Sequence, residues 1–256
     1  MRGLAWFNAL TAGVTPVEGF AASVKVADGA LDGQAVRFIA VVTDRDNHFP
    51  RARNGEVGLL EGWNLARAVD EVMGDKRPII AIVDVPSQAY GRREEALGIH
   101  QALAAAADSY ARARLAGHPV IALLVGKAMS GAFLAHGYQA NRLIALRDPG
   151  VMVHAMGKAS AARVTLRSVE ELESLAASVP PMAYDIDSYA SLGLLWETLS
   201  VSRIEQPDAE DVSRVSACLV KAIEDVQATG NDLRSRLGAT NRAASSHVRQ
   251  LLREQW

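Results

Sequence analysis

Residues Gly126–Gly137, GKAMSGAFLAHG, hold the clearest provision for chemistry in the sequence. They follow an apolar run and open an apolar helical segment, with Ser130-Gly131-Ala132 at the turn. Small side chains let a ligand approach the backbone there. The first amides of a helix have no intrahelical acceptor and can face a developing negative charge. Such a turn can build an oxyanion hole, in which one donor is worth ~3 kcal/mol of transition-state stabilisation. The same small residues also serve tight helix–sheet packing, and spacing alone leaves both uses open. Two other readings fail. A phosphate-binding loop needs glycine five residues before the Gly-Lys pair and Ser or Thr after it, where Ile121 and Ala128 stand. A nucleophile elbow needs glycines two residues to either side of its serine, where Ala128 and Ala132 flank Ser130. Ser130 reads as a small helix-start residue rather than a nucleophile.

The second informative stretch is Asp84–Gly98, DVPSQAYGRREEALG, at the C-terminal end of an expected strand, the edge where parallel sheets bind ligands. Pro86, Ser87, Gln88, Tyr90 and Gly91 make a polar, turn-rich loop, and Arg92 and Arg93 follow as anion contacts or a solvated helix start. A third loop, PRARNGE at 50–56, brings Arg51 and Arg53 to the same edge as further candidate anion contacts. Glu94 and Glu95 are adjacent and would point in different directions on a helix. None of the six histidines forms a His-x-His, His-x-x-x-His or HExxH arrangement, so no metal site is expected. A Gly-x-Gly-x-x-Gly motif is absent as well, which leaves a site built from backbone.

These stretches need a scaffold, and the hydrophobic pattern supplies one. Ala35–Thr43, Pro78–Val85 and His118–Gly126 are continuous runs rich in Val and Ile, as expected of strands covered on both faces. Helical spacing occupies Glu56–Gly74 and Glu94–Ala116 between them, the latter ending at Gly117. Strands alternating with helices predict an α/β protein with a mostly parallel sheet. Short strands are expected at Arg142–Arg147 and Val151–Ala155, then helices at Lys158–Arg167, Val169–Ser178 and Ser188–Leu199. Val212, Val215, Leu219, Ile223 and Val226 make an amphipathic stripe that ends at Gly230. The last segment, Asp232–Trp256, carries five arginines against two acids. It reads as a solvated helix face or as a docking surface for an acidic partner.

Composition narrows the classes. The chain has 256 residues, 27 basic and 29 acidic side chains, and a formal charge of −2, which argues against nucleic acid as a partner. One cysteine, Cys218, excludes an internal disulfide or a cysteine-rich zinc cluster. No apolar run approaches the ~18 residues of a membrane span. The N-terminus offers no clean secretory cleavage site, so a cytoplasmic location is expected.

The two motif stretches together suggest a family. DVPSQAYGRREEALG resembles the D-x-P-G-x-x-P-G-x-x-x-E-x-x-G segment of biotin-linked acyl-CoA carboxyltransferases, with Asp84, Pro86, Gly91, Glu95 and Gly98 in register. GKAMSGAF resembles that family's G-K-A-x-G-G-A-[YF] oxyanion loop, and the match covers roughly Ala35 to Leu199. Both motifs belong to the crotonase superfamily. Within it, the opening GLAWFNAL and the segment GEVGLLEGW are most similar to gamma subunits of biotin-independent malonate decarboxylases. The resemblance implies a crotonase-like ββα-superhelix core at about 32–200 and a helical extension at about 207–256, forming one domain over 1–256.

The resemblance also implies a function. Such a subunit pairs with a homologous beta subunit to decarboxylate a malonyl thioester, giving acetyl thioester and carbon dioxide. The malonyl group rides on the phosphoribosyl-dephospho-CoA arm of an acyl-carrier protein, with no biotin or metal. Carried over by position, Gly131 and Ala132 are the amide donors, and Lys127, Ala128, Met129 and Ser130 frame them. Ser87, Gln88, Tyr90, Gly91, Arg51 and Arg53 are the expected substrate contacts. Ser87 and Tyr90 replace the family's Gly and Pro, and Ser130 replaces a glycine beside the oxyanion pair. Two alternatives stay open: a stand-alone acyl-CoA hydratase or isomerase, which needs a catalytic Glu or Asp beside the oxyanion loop that no matching position clearly supplies, and a scaffold that completes a partner's site.

Overall fold

Three continuous apolar runs become the middle of one sheet. In the computed structural model, which describes residues 1–256, they are β2 (Gln34–Val41), β3 (Ile79–Val85) and β4 (Val120–Met129). All of β3 is buried, and in β4 only Lys127 is exposed. The sheet also contains β1 (Val24–Leu31), β5 (Arg142–Leu146), β6 (Met152–His154) and β7 (Glu197–Leu199). Its order is β1-β2-β3-β4-β5-β7, parallel except for the β1–β2 hairpin.

The helices are α1 (Arg2–Leu10), α2 (Leu59–Asp70), α3 (Arg92–Ala96), α4 (Ile99–Leu115), α5 (Ser130–Ala135), α6 (Lys158–Val164), α7 (Val169–Ala176), α8 (Ile186–Ser191), α9 (Ala209–Thr229) and α10 (Ala243–Gln255). Gly62 lets α2 lie directly on α4, because a Cβ there would come within 2.7 Å of the Ala102 carbonyl. His136 is a core residue: Tyr110 Oη lies 3.0 Å from Nδ1, and Nε2 lies 3.0 Å from the Ile82 carbonyl oxygen. That carbonyl can only accept, so Nε2 carries the proton and Nδ1 accepts from the tyrosine. Burial pushes its pKa down to about 4, and it stays neutral.

β4 matters most for function because it belongs to three ladders and changes partner along its length. Residues 120–124 pair with β3 and β5, and Lys127–Met129 pair with β6. The β3–β4 register shifts between Val83 and Val85, and the change of partner follows it. At this bend the Asp84 carboxylate lies against Gly126, where a Cβ would stand 2.0 Å from Oδ1. The same carboxylate accepts from Lys127 N at 3.1 Å and from Gly3 N at 3.0 Å, tying α1 to the bend.

Several elements differ from the sequence expectation. The helix expected over Glu94–Ala116 is broken, because Gly98 sits at φ +81°, so α3 and α4 are separate. The helix expected over Ser188–Leu199 ends at Ser191, and Gly193 at φ +69° turns the chain so that Glu197–Leu199 pairs with β5. The largest apolar cluster also passes both ends of the 32–200 segment. Trp6, Phe7 and Val24 join it from α1 and β1, as do Val215, Leu219 and Ile223 from α9. Only α10 lacks buried residues altogether.

Candidate active site

The end of β4 delivers Ser130 to the head of α5 with φ +54°, a left-handed conformation costing a non-glycine residue ~1–2 kcal/mol. The resembled carboxyltransferase pattern has glycine here. Hydrogen bonds to Gln88 hold the serine in place. Gln88 N donates to Ser130 Oγ at 3.3 Å, and that hydroxyl donates to Gln88 Oε1. Gly131 N donates to the same Oε1 at 2.9 Å. An amide nitrogen is only a donor, so the carboxamide atom facing it is oxygen and the Gln88 NH2 faces away. Ala132, next in the turn, is fully buried.

Ser130 and Gly131 also border a largely apolar cavity of about 600 Å³, within the range of small-molecule sites. Its far walls come from β6, α6 and residues 180–194. His154 faces this cavity from β6, where its Cα is register partner to Met129. Its ring stacks on Tyr184 at 3.9 Å and 11°, and burial lowers its pKa. Tyr184 Oη donates to the Met156 carbonyl at 2.8 Å. Sequence reasoning missed this pair, because nothing in VMVHA places a histidine beside a tyrosine thirty positions on.

The other expected site residues divide. Ser87 lies beside Gln88, its hydroxyl donating to the Gln88 carbonyl at 3.0 Å. Ala128 is fully buried between Val85 and Val153, and Met129 packs with Ala161, Leu172 and Tyr184. Lys127 supplies its backbone amide to Asp84, and its side chain is exposed. Tyr90 is exposed. Gly91 is needed for space, since a Cβ would come within 2.6 Å of both Arg51 Nε and Glu94 Oε2. Arg51 is exposed and lies 3.9 Å from the Glu94 carboxylate, and Arg53 Nε donates to the Asn47 carbonyl at 3.1 Å. Neither guanidinium hydrogen-bonds to the turn at Ser130–Gly131.

The basic tail needs one correction. Arg236 is not on the surface: its guanidinium donates to the carbonyls of Tyr138 and Ala140, and burial lowers its pKa to about 10. It anchors the tail to the body of the protein. Arg234 pairs with Asp232 at 3.1 Å, while Arg249 and Arg253 are exposed on α10.

Comparison with known proteins gives a consistent picture. The sequence pattern of the malonate decarboxylase gamma subunit matches residues 52–256. A malonyl-S-ACP:biotin-protein carboxyltransferase of Malonomonas rubra is 33% identical over 216 residues, covering 80% of this chain and 70% of its own length. The crystal structure of the Pseudomonas malonate decarboxylase MdcD-MdcE hetero-dimer contains a chain 67% identical to this one. They superimpose with a TM-score of 0.92 over 100% of this chain and 99% of that one. Transcarboxylase 12S, at 20% identity and a TM-score of 0.66, is alike in fold alone, over 86% of this chain and 41% of that one. The fold is the crotonase type that the family resemblance implies.

Proposed function

The chain belongs to the malonate decarboxylase gamma-subunit family, and from that premise we propose that it shares a decarboxylation site with a homologous beta subunit. The substrate is a malonyl thioester carried on the phosphoribosyl-dephospho-CoA arm of an acyl-carrier protein. The bond between the carboxylate and the α-carbon breaks, its electron pair passes into the thioester enolate, carbon dioxide leaves, and the enolate takes up a proton. The beta subunit's oxyanion hole holds the thioester oxygen. The Gly131 and Ala132 amides hold the departing carboxylate, so that the breaking bond stays aligned with the forming enolate. The whole chain acts as one crotonase-like domain, and it works in the cytoplasm. No helix of the structure is long and apolar enough to cross a membrane.

One observation carries this reading: the Gly131 amide is aimed at an oxygen, 2.9 Å away, at the end of the strand that resembles the carboxyltransferase oxyanion loop. The relatives support the substrate class and the pairing, since one is a malonyl-S-ACP:biotin-protein carboxyltransferase and another is part of a malonate decarboxylase hetero-dimer. The reading is tested by assaying the chain alone and with its beta partner on malonyl and crotonyl thioesters. Turnover is expected only for the pair and only with malonyl. Hydration of the crotonyl thioester by the chain alone would replace this reading with a hydratase.

The carrier must also be recognised, and the exposed arginines of α10 are suited to an acidic carrier protein. Reversing Arg249 and Arg253 to glutamate is expected to raise the apparent KM for the carrier severalfold and to flatten the salt dependence of association. An unchanged KM at low salt would return α10 to a solvated helix.

A further inference from the structure

The Gly131 amide does not stand open. Its hydrogen and that of Ser130 Oγ converge on one neutral oxygen, Gln88 Oε1, supplied by the chain itself. The Gln88 backbone is held separately: Val57 N donates to the Ser87 carbonyl at 3.1 Å, and Ala89 N donates to the Val57 carbonyl at 2.8 Å. The carboxamide can therefore leave the turn without unravelling the loop. Its nitrogen has no protein partner that would move with it.

We infer that Gln88 is a resident occupant of the oxyanion position, displaced by the substrate carboxylate and returning once the carboxylate has become carbon dioxide. The inference rests on the reading of Gly131 given above. Charge decides the exchange. Hydrogen bonds to an anionic oxygen are roughly twice as strong as those to a neutral one, so a carboxylate evicts the carboxamide. A neutral carbonyl would trade like for like and gain nothing. Decarboxylation removes the charge, and the tethered Gln88 oxygen, at high effective concentration, regains the two donors. In the empty site it also spares the Gly131 amide from lying unpaired. Gln88 thereby sets which oxygen the site accepts: one carrying charge. It is a specificity-determining residue rather than a catalytic one.

The test uses the complex of this chain with its beta subunit and compares wild type with Gln88→Ala and Gln88→Glu. Without the occupant, KM for the malonyl carrier is expected to fall by at least about fivefold, the low end of the net worth of two neutral hydrogen bonds, with no gain in kcat. The inhibition constant of the acetyl carrier, which has no carboxylate to place there, should not follow. Glutamate would set a permanent anion on the Gly131 amide, raising the malonyl KM by at least ~10-fold, again without moving the acetyl constant. That loss should shrink as the pH falls and the new carboxylate is protonated. An unchanged or raised KM in Gln88→Ala overturns the inference, as does a parallel shift of the malonyl and acetyl constants. Should Gln88→Ala fail to assemble, Gln88→Glu decides alone, since a malonyl KM left at the wild-type value would equally overturn it. Gly131→Pro keeps the two questions apart. Intact turnover in that variant defeats the reading of Gly131, whereas lost turnover there with an unmoved KM in Gln88→Ala defeats only the occupant.

Discussion

Gly131→Pro in the complex with the beta subunit should cut turnover at limiting malonyl carrier by at least ~10-fold, the worth of one hydrogen bond that holds and aligns the charged carboxylate. The substitution removes the amide hydrogen and puts the ring Cδ in its place, so the Gln88 carboxamide must move aside, and it restricts the backbone of Ser130 before it. Gly131 lies in the first turn of α5, where an N–H has no intrahelical acceptor, so proline breaks no helix bond. What disappears is the donor now engaged by Gln88 Oε1, which in the proposed function is also the donor to the substrate carboxylate. Gly131→Ala is the matched control. Its Cβ would stand 3.3 Å from Gln88 Oε1 and 3.4 Å from Cδ, the flexible end of a side chain that can yield a few tenths of an ångström. The amide stays, so the alanine variant should keep most of its turnover. Equal losses in both variants would assign the effect to bulk rather than to the hydrogen bond. A fully active Gly131→Pro complex, with folding confirmed by its thermal melt, would remove Gly131 from the mechanism.

The contrast between Gly131 and Gln88 shows what a sequence can reveal about such a site. The turn at Ser130–Ala132 is local: strand, small residues and helix start follow one another along the chain, so their types predict their geometry. Gln88 reaches the same turn from over forty residues upstream, through the adjacency of β3 and β4 and the register shift after Val83. No local pattern encodes that contact. The same division runs through the fold. β2, β3 and β4 are legible because both faces are covered and their runs are continuously apolar. β1 is not, because Lys25 and Asp28 interrupt VKVADGAL at the sheet edge. α1 is short, and its burial depends on distant partners, such as the Ile204 carbonyl that accepts from Trp6 Nε1 at 2.9 Å. Arg236 illustrates the limit for charge. In the sequence it is one of five arginines in a tail, and only the folded chain brings it to the carbonyls of Tyr138 and Ala140. The carboxyltransferase resemblance points to the Gly131 amide, whereas only the folded chain brings the Gln88 oxygen to 2.9 Å from it.

The bend that presents the turn can be tested through its own obstacle. Gly126→Ala is expected to destabilise the protein by about 2–4 kcal/mol, because the new Cβ would lie 2.0 Å from Asp84 Oδ1 and 2.4 Å from its Cγ. The carboxylate must swing away, leaving the amides of Gly3 and Lys127 without their acceptor, at about 1–3 kcal/mol for each one left buried and unpaired. Asp84→Ala orphans the same two amides by a different route and should cost a similar amount. The double variant separates this account from a general intolerance of side chains at Gly126. Once Asp84 is alanine, the added methyl meets chiefly the remaining Cβ at 3.1 Å, a contact that backbone shifts of a few tenths of an ångström relieve. The two losses should then fall short of their sum by about 1–3 kcal/mol in a denaturant-melt cycle. Turnover should follow stability in all three variants, because Lys127–Met129 carry the turn. Additive losses would show that the carboxylate is not what Gly126 makes room for, and that the bend is set elsewhere along β4.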